Sequence, residues 1–192
     1  MTKPNRLFTG IILPALIFFQ CGPVKSLYIK KGYDPNAADA VKNIRVVAGT
    51  YEADPALTGL LLAIAGDHMK IRKYYHVREI RIAAENPGKD CSGVDGVVFF
   101  TVLKSGLNGD EGELSLRGEL SRCPTMEKLW YADGTSADYS GVEDITTLVK
   151  IYRREFGETA RIYGAAAFNL LKEIIDTMPE PPSPRGVRKK VF

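Results

Sequence analysis

Apolar positions along the chain form a short N-terminal run, then strand-like clusters between residues 44 and 134, then one long helical stripe after residue 143. "IRVVAG" (44–49) reads as a strand closed by a glycine. In "ADPALTGLLLAIAGDHMKI", Asp54 takes the N-cap position and Pro55 the first helical position, and Leu57, Leu60, Leu61, Ile64, His68 and Ile71 follow at helical spacing. Gly59 and Gly66 weaken the intrinsic helix propensity, so tertiary packing must hold this helix. "YYHVREIRIA" (74–83) predicts a second strand whose alternation slips phase between Val77 and Ile80. "VDGVVFFTVL" (94–103) is continuously apolar, as in a strand covered on both faces. After the turn chemistry of "SGLNGDEGE", "LSLRGEL" (114–120) sets Leu114, Leu116 and Leu120 against Ser115, Arg117 and Glu119. "KLWYADG" (128–134) continues the meander and ends at Asp133-Gly134.

Ser140 and Glu143 have capping-box spacing at the head of the longest stripe, which runs from Ile145 through Leu148, Tyr152, Phe156, Ala160 and Tyr163 to Ile174 and Met178. At 1.5 Å per residue an unbroken helix over 143–178 would be about 54 Å long, more than a small domain can cover, which predicts a bend at Gly157 or Gly164. "PEPPSP" (179–184) stops it. The pattern predicts an α+β fold: a sheet of about five strands with two helical segments packed on one face, the C-terminal one long. Residues 94–103 and 114–122 should pair antiparallel, with Phe99 or Phe100 beneath the C-terminal helix.

The N-terminal run changes the picture of location. Lys3 and Arg6 precede an apolar stretch from Leu7 to Phe19, then Gln20 and Cys21, which is the order of a secretory signal. The stretch is shorter than the roughly 20 apolar residues of a membrane span and is interrupted by Thr9, Gly10 and Pro14. A cysteine at that junction is similar to the bacterial lipobox, in which the thiol is acylated, the preceding bond is cut, and the new amino group is acylated in turn. Cys21 would then be the lipidated first residue of the mature chain, carrying fatty acids such as palmitate. Phe18, Phe19 and Gln20 depart from the usual Leu and small residue of that pattern. An uncleaved N-terminal anchor is the alternative. The division expected is a signal peptide over 1–20, a lipidated tether over 21–42, one α+β domain over 43–182 and a basic tail over 183–192.

The net charge of +3 is misleading. Two of the 26 basic residues lie in the signal and four in the last eight residues, which leaves 20 against 23 acidic residues and −3 for the body. Such a body has no electrostatic footprint for nucleic acid. The tail could rest on anionic head groups or simply be solvated.

Candidate chemistry is sparse. The two histidines are His68 and His76, and His68 falls on the apolar stripe of the first helix, which suits a partly buried side chain. A hydrolase using His68 or His76 would need one of them in a cleft beside Asp67 and a nucleophile. No G-x-S-x-G, HExxH, Walker or G-x-G-x-x-G motif occurs. Asn108, Asp110, Glu111 and Glu113 lack the full calcium-loop pattern and read as a solvated hairpin turn. No cofactor or metal is expected. Cys91 and Cys123 form an even pair that an oxidising compartment could bridge, since they would meet at one end of the same hairpin; two buried thiols are the alternative.

The polar stretch after Cys21, "KNIRVVAG", "DGVVFFTVL", "SLRGELSRCPTMEKLWYADG" and "REFGETARIYGAAAFNLLKEIIDTMPEP" together resemble periplasmic domains related to the TolB N-terminal domain and to curli-secretion lipoproteins, in particular uncharacterised lipoproteins of myxobacteria and leptospires. The likeness covers most of residues 43–182, and its motifs are structural rather than catalytic. It implies a non-catalytic outer-membrane lipoprotein whose domain lies in the periplasm and binds or scaffolds another envelope protein, in assembly or transport. Gly22 after the cysteine resembles the outer-membrane sorting signal of such proteins.

Overall fold

The computed structural model describes residues 22–51, 54–83, 91–136 and 143–183, with backbone only over 143–149. Its elements are β1 (Val24–Ile29), β2 (Asn43–Gly49), α1 (Pro55–Arg72), β3 (His76–Ala83), β4 (Gly96–Asn108), β5 (Glu111–Arg122), β6 (Glu127–Thr135) and α2 (Glu143–Asp176). The six strands form one mixed sheet in the order β1-β6-β5-β4-β2-β3. β2 lies parallel to both β3 and β4, while β4, β5 and β6 form an antiparallel meander.

The α+β architecture with a long C-terminal helix stands, with one strand more than expected. The sixth strand lies in the stretch read as a tether over 21–42, and that reading is corrected here. β1 pairs antiparallel with β6, Leu27 opposite Ala132 and Ile29 opposite Trp130. Further on, Ala40 and Val41 are buried. The strand was hidden because Pro23, Lys25, Lys30 and Lys31 give the segment a linker-like composition. Its pairing comes from a β6 edge more than 100 residues away, illustrated by the Ser26 to Asp133 hydrogen bond across a separation of 107.

α1 begins as its residues dictate: Asp54 accepts from the Leu57 N–H at 3.1 Å, and Pro55 occupies the first turn. The phase slip in β3 is a bulge at Arg78, between the pairs Ile44–Val77 and Arg45–Glu79. The hairpin of β4 and β5 pairs antiparallel from Gly96–Arg122 to Asn108–Glu111. α2 is broken at Gly157, where φ is 52° and ψ is −124°. That left-handed backbone is cheap only for glycine. The Ser140–Glu143 capping box lies outside the described residues.

One large core joins the helices to the sheet through Ile44, Val46, Val98, Phe100, Leu116 and Leu120 below and Leu60, Ile64, Leu170 and Ile174 above. Gly118 and Gly134 let α2 approach: a Cβ at Gly118 would stand 2.9 Å from Ile174 and Trp130 and 3.0 Å from Phe100, and one at Gly134 would stand 2.6 Å from Leu170. Phe100 and Trp130 are therefore held beneath α2, and the indole Nε1–H donates to Thr177 Oγ1 at 3.2 Å. Phe99 turns to the opposite face, packing against a small second cluster of Val47, Ala83 and Val97. This second cluster explains the unbroken apolar run of β4.

Candidate functional site

The structure separates the residues that could have formed a hydrolytic centre. His68 is 6% exposed, its ring lies 4.5 Å from that of Phe168, and its Nε2 contacts the Phe168 carbonyl at 3.1 Å. Burial pushes the imidazole down to about 4, against the Phe168 carbonyl that opposes the shift. A neutral ring that donates Nε2–H to that carbonyl is a packing element. Asp67 accepts a 2.8 Å hydrogen bond from the Tyr152 hydroxyl, and His76 is exposed at the start of β3. Among the described residues, His68 is thus packed in the core and His76 lies on the surface, apart from it.

Cys91 and Cys123 are joined in a disulfide, with Cα atoms 5.6 Å apart. It forms part of the wall of a shallow cleft of about 480 Å³ at the end of the sheet where β2 and β4 begin and β5 ends. Two of the carboxylates there are engaged in structure, while the Arg122 Nε is buried without a hydrogen-bond partner among the described residues. Arg122 pairs with Asp39 at 3.0 Å, and Asp95 accepts from the backbone N–H groups of Lys42 and Asn43 and from Asn43 Nδ2. Burial alone would raise the Asp95 carboxyl, but those donors, Asn43 foremost, hold it below its usual range. Among the described residues no group of three or more His, Cys, Asp or Glu converges as a metal site. Of the Asn108 to Glu113 segment, Gly109 and Asp110 form the β4–β5 turn, with Gly109 at φ 61°, while Asn108 ends β4 and Glu111 and Glu113 lie in β5. Cys21 lies outside the described residues. Among the described residues no helix is long and apolar enough to cross a membrane.

The sheet face opposite the helices carries the feature that sequence reasoning missed. Where β1, β6 and β5 run side by side, Tyr28 stacks on Tyr131 with centroids 5.4 Å apart and planes 15° apart. Arg117 stands 5.4 Å and Lys128 5.2 Å from the centre of the Tyr131 ring, positions that favour cation–π attraction. Arg117 also grips Asp133 with both Nε (2.5 Å) and Nη2 (2.7 Å), and Ser26 donates to the same carboxylate at 2.9 Å. The Arg117 hydrogen bonds hold the Asp133 carboxyl below its usual range, with partial burial opposing. Lys128 pairs with Glu119 at 2.9 Å. The result is an aromatic platform rimmed by paired charges. Its rows follow from strand register, Tyr28 opposite Tyr131 and Arg117 opposite Asp133. Residues 24–29, Val-Lys-Ser-Leu-Tyr-Ile, carry no alternation that could have signalled it.

The fold and this face define an α+β domain with one helical layer and, among the described residues, an opposite sheet surface left open where β1, β6 and β5 run. No family model and no curated protein matches the chain. It is similar to solved structures at low identity. The PelC dodecamer from Paraburkholderia phytofirmans shares 14% identity over 79% of this chain and 94% of that one, with a TM-score of 0.44. The lipoprotein GNA1162 from Neisseria meningitidis shares 17% over 62% and 99%, with a TM-score of 0.40. Protein XCC0632 from Xanthomonas campestris shares 13% over 76% and 88%, with a TM-score of 0.43.

Proposed function

We propose that the chain is a non-catalytic lipoprotein of the bacterial outer membrane, held by acyl chains on Cys21, whose periplasmic domain binds another envelope protein. The observation that carries the reading is the platform of Tyr28, Tyr131, Arg117 and Lys128 on the uncovered sheet face. Tyr and Arg dominate the residues that anchor protein interfaces, because they combine large apolar area with directional polar groups. Here Asp133 fixes the guanidinium before any partner arrives, which lowers the entropy lost on binding. The order of basic residues, apolar run and cysteine supports the anchor, and the packing of His68 away from any nucleophile supports a role without catalysis.

Two measurements test the reading. Mass spectrometry of the mature N-terminus should find acylated Cys21, and Cys21→Ser should block that processing; an intact Met1 on the wild type would show an ordinary uncleaved anchor instead. A photo-crosslinking residue at Thr101 or Ser115, beside the platform, should capture one defined envelope protein in intact cells. Tyr131→Ala and Arg117→Glu should abolish the crosslink with the domain still folded, and capture that ignores both substitutions would refute the binding face.

A further inference from the structure

β1 is an outer strand of the sheet, and it exposes three consecutive apolar side chains: Leu27 at 52%, Tyr28 at 39% and Ile29 at 46%. The other large exposed apolar residues are isolated from one another along the chain. Lys25 and Lys31 flank the three and are exposed, while Lys30 pairs with Glu127. The edge therefore carries Leu27 and Ile29 on one side and Tyr28 on the other, with lysines at both ends; Glu127 offsets Lys30, and Asp133, which accepts from Ser26, is engaged by Arg117.

The chain upstream limits where this edge can be. Cys21 precedes Val24 by three residues and the last apolar residue of the N-terminal run, Phe19, precedes it by five. At no more than about 3.6 Å per residue, those separations reach about 11 Å and about 18 Å. Whether acyl chains or the apolar run enter the bilayer, β1 starts within head-group distance of it. We propose that the free edge of β1 is a membrane-contact surface that rests in the head-group layer of an anionic bilayer. The proposal rests on the membrane attachment proposed above but not on which of the two groups supplies it.

Each part of the strand suits that layer. Aromatic residues favour the interface, and Tyr28, its ring stacked on Tyr131, stands on one side of the strand at the level of the head groups. Leu27 and Ile29, on the other side of the strand, add apolar area. The unpaired N–H and C=O groups of an edge strand could not enter hydrocarbon, so the contact stops at the hydrated head groups. The same lysines disfavour a second copy of the chain as the occupant, because two β1 edges pairing would bring Lys25, Lys30 and Lys31 of one against those of the other.

The test uses the full-length protein in phosphatidylethanolamine vesicles with or without phosphatidylglycerol, read by hydrogen exchange over residues 24–31. Flotation with the vesicles reports attachment independently. The expected result is slower exchange of β1 in the phosphatidylglycerol vesicles, with exchange in β4 and β5 unchanged. Lys25→Ala with Lys31→Ala should weaken the contact about 30-fold at low salt, from about fivefold per basic residue. Leu27→Ser with Ile29→Ser should remove the protection while β4 and β5 stay protected. Protein that floats while β1 exchanges equally with and without phosphatidylglycerol overturns the contact and leaves the anchor standing. Protection that rises with protein density and ignores lipid charge overturns it in favour of a second copy. Protein that does not float overturns both.

Discussion

Proton binding at His68 should destabilise the domain, and the pH range in which this happens is set by where the ring sits. In the native state the imidazole is buried between α1 and α2, held at about 4 by burial. In the unfolded chain it returns to about 6.5. Above that value both states are neutral and the full stability is present. As pH falls between about 6.5 and about 4, the unfolded chain binds a proton that the native state refuses, and stability drops by about 1.4 kcal/mol per pH unit. The total loss is on the order of 3 kcal/mol, a large part of the roughly 5–15 kcal/mol that holds a domain together. Urea unfolding should therefore show about 2 kcal/mol less stability at pH ~5 than at pH ~7. The carboxyls of Asp95, Asp133 and Asp176 are all held below their usual range, so their contributions are complete above the ordinary carboxylate range and begin to be lost only as the pH falls into it. His68→Gln keeps a donor for the Phe168 carbonyl but does not titrate, and it should flatten the profile in this window. A wild-type profile that is already flat, or a slope that survives His68→Gln, would refute the argument.

The Cys91–Cys123 bridge spans a sequence separation of 32, and in the chain-entropy model a loop of that size stabilises by about 3.7 kcal/mol. Reductant should lower the melting temperature by about 7–15 °C, read by circular dichroism, and a shift under about 2 °C would count against the bridge as a stabilising element. Gly118→Ala would place a methyl group 2.9 Å from both Ile174 and Trp130, so it should destabilise by about 1–3 kcal/mol in urea titration with a blue-shifted or broadened Trp130 emission. An unchanged midpoint would show that α2 can lift from the sheet without strain.

What could be read from the sequence was whatever depends on neighbours in the chain. Asp54 and Pro55 start α1 with local hydrogen bonds, Gly157 breaks α2 through its own backbone angles, and the β4–β5 hairpin needs only a turn and matched alternation. The bulge at Arg78 was visible as a phase slip because an extra residue must shift the alternation. Strand β1 was not legible, since nothing within residues 24–29 specifies a partner at 130–134. The platform was lost with it, because Tyr28 and Tyr131 meet only once that register exists. Sequence spacing left Cys91 and Cys123 either bridged or free; the fold brings their Cα atoms to 5.6 Å, within bridging range, and the sulfurs are bonded.

The pairing of β1 with β6 also sets an order of arrival. A chain that enters its compartment N-terminus first delivers β1 before any other strand, yet the backbone that receives β1 lies beyond β5. Until β6 emerges, β1 has no strand to pair with, and the loop to be closed between Ser26 and Asp133 spans 107 residues. The first strand made is thus the last to be seated. Residues 24–29 stay extended and accessible until the arrival of β6 closes the sheet at that edge.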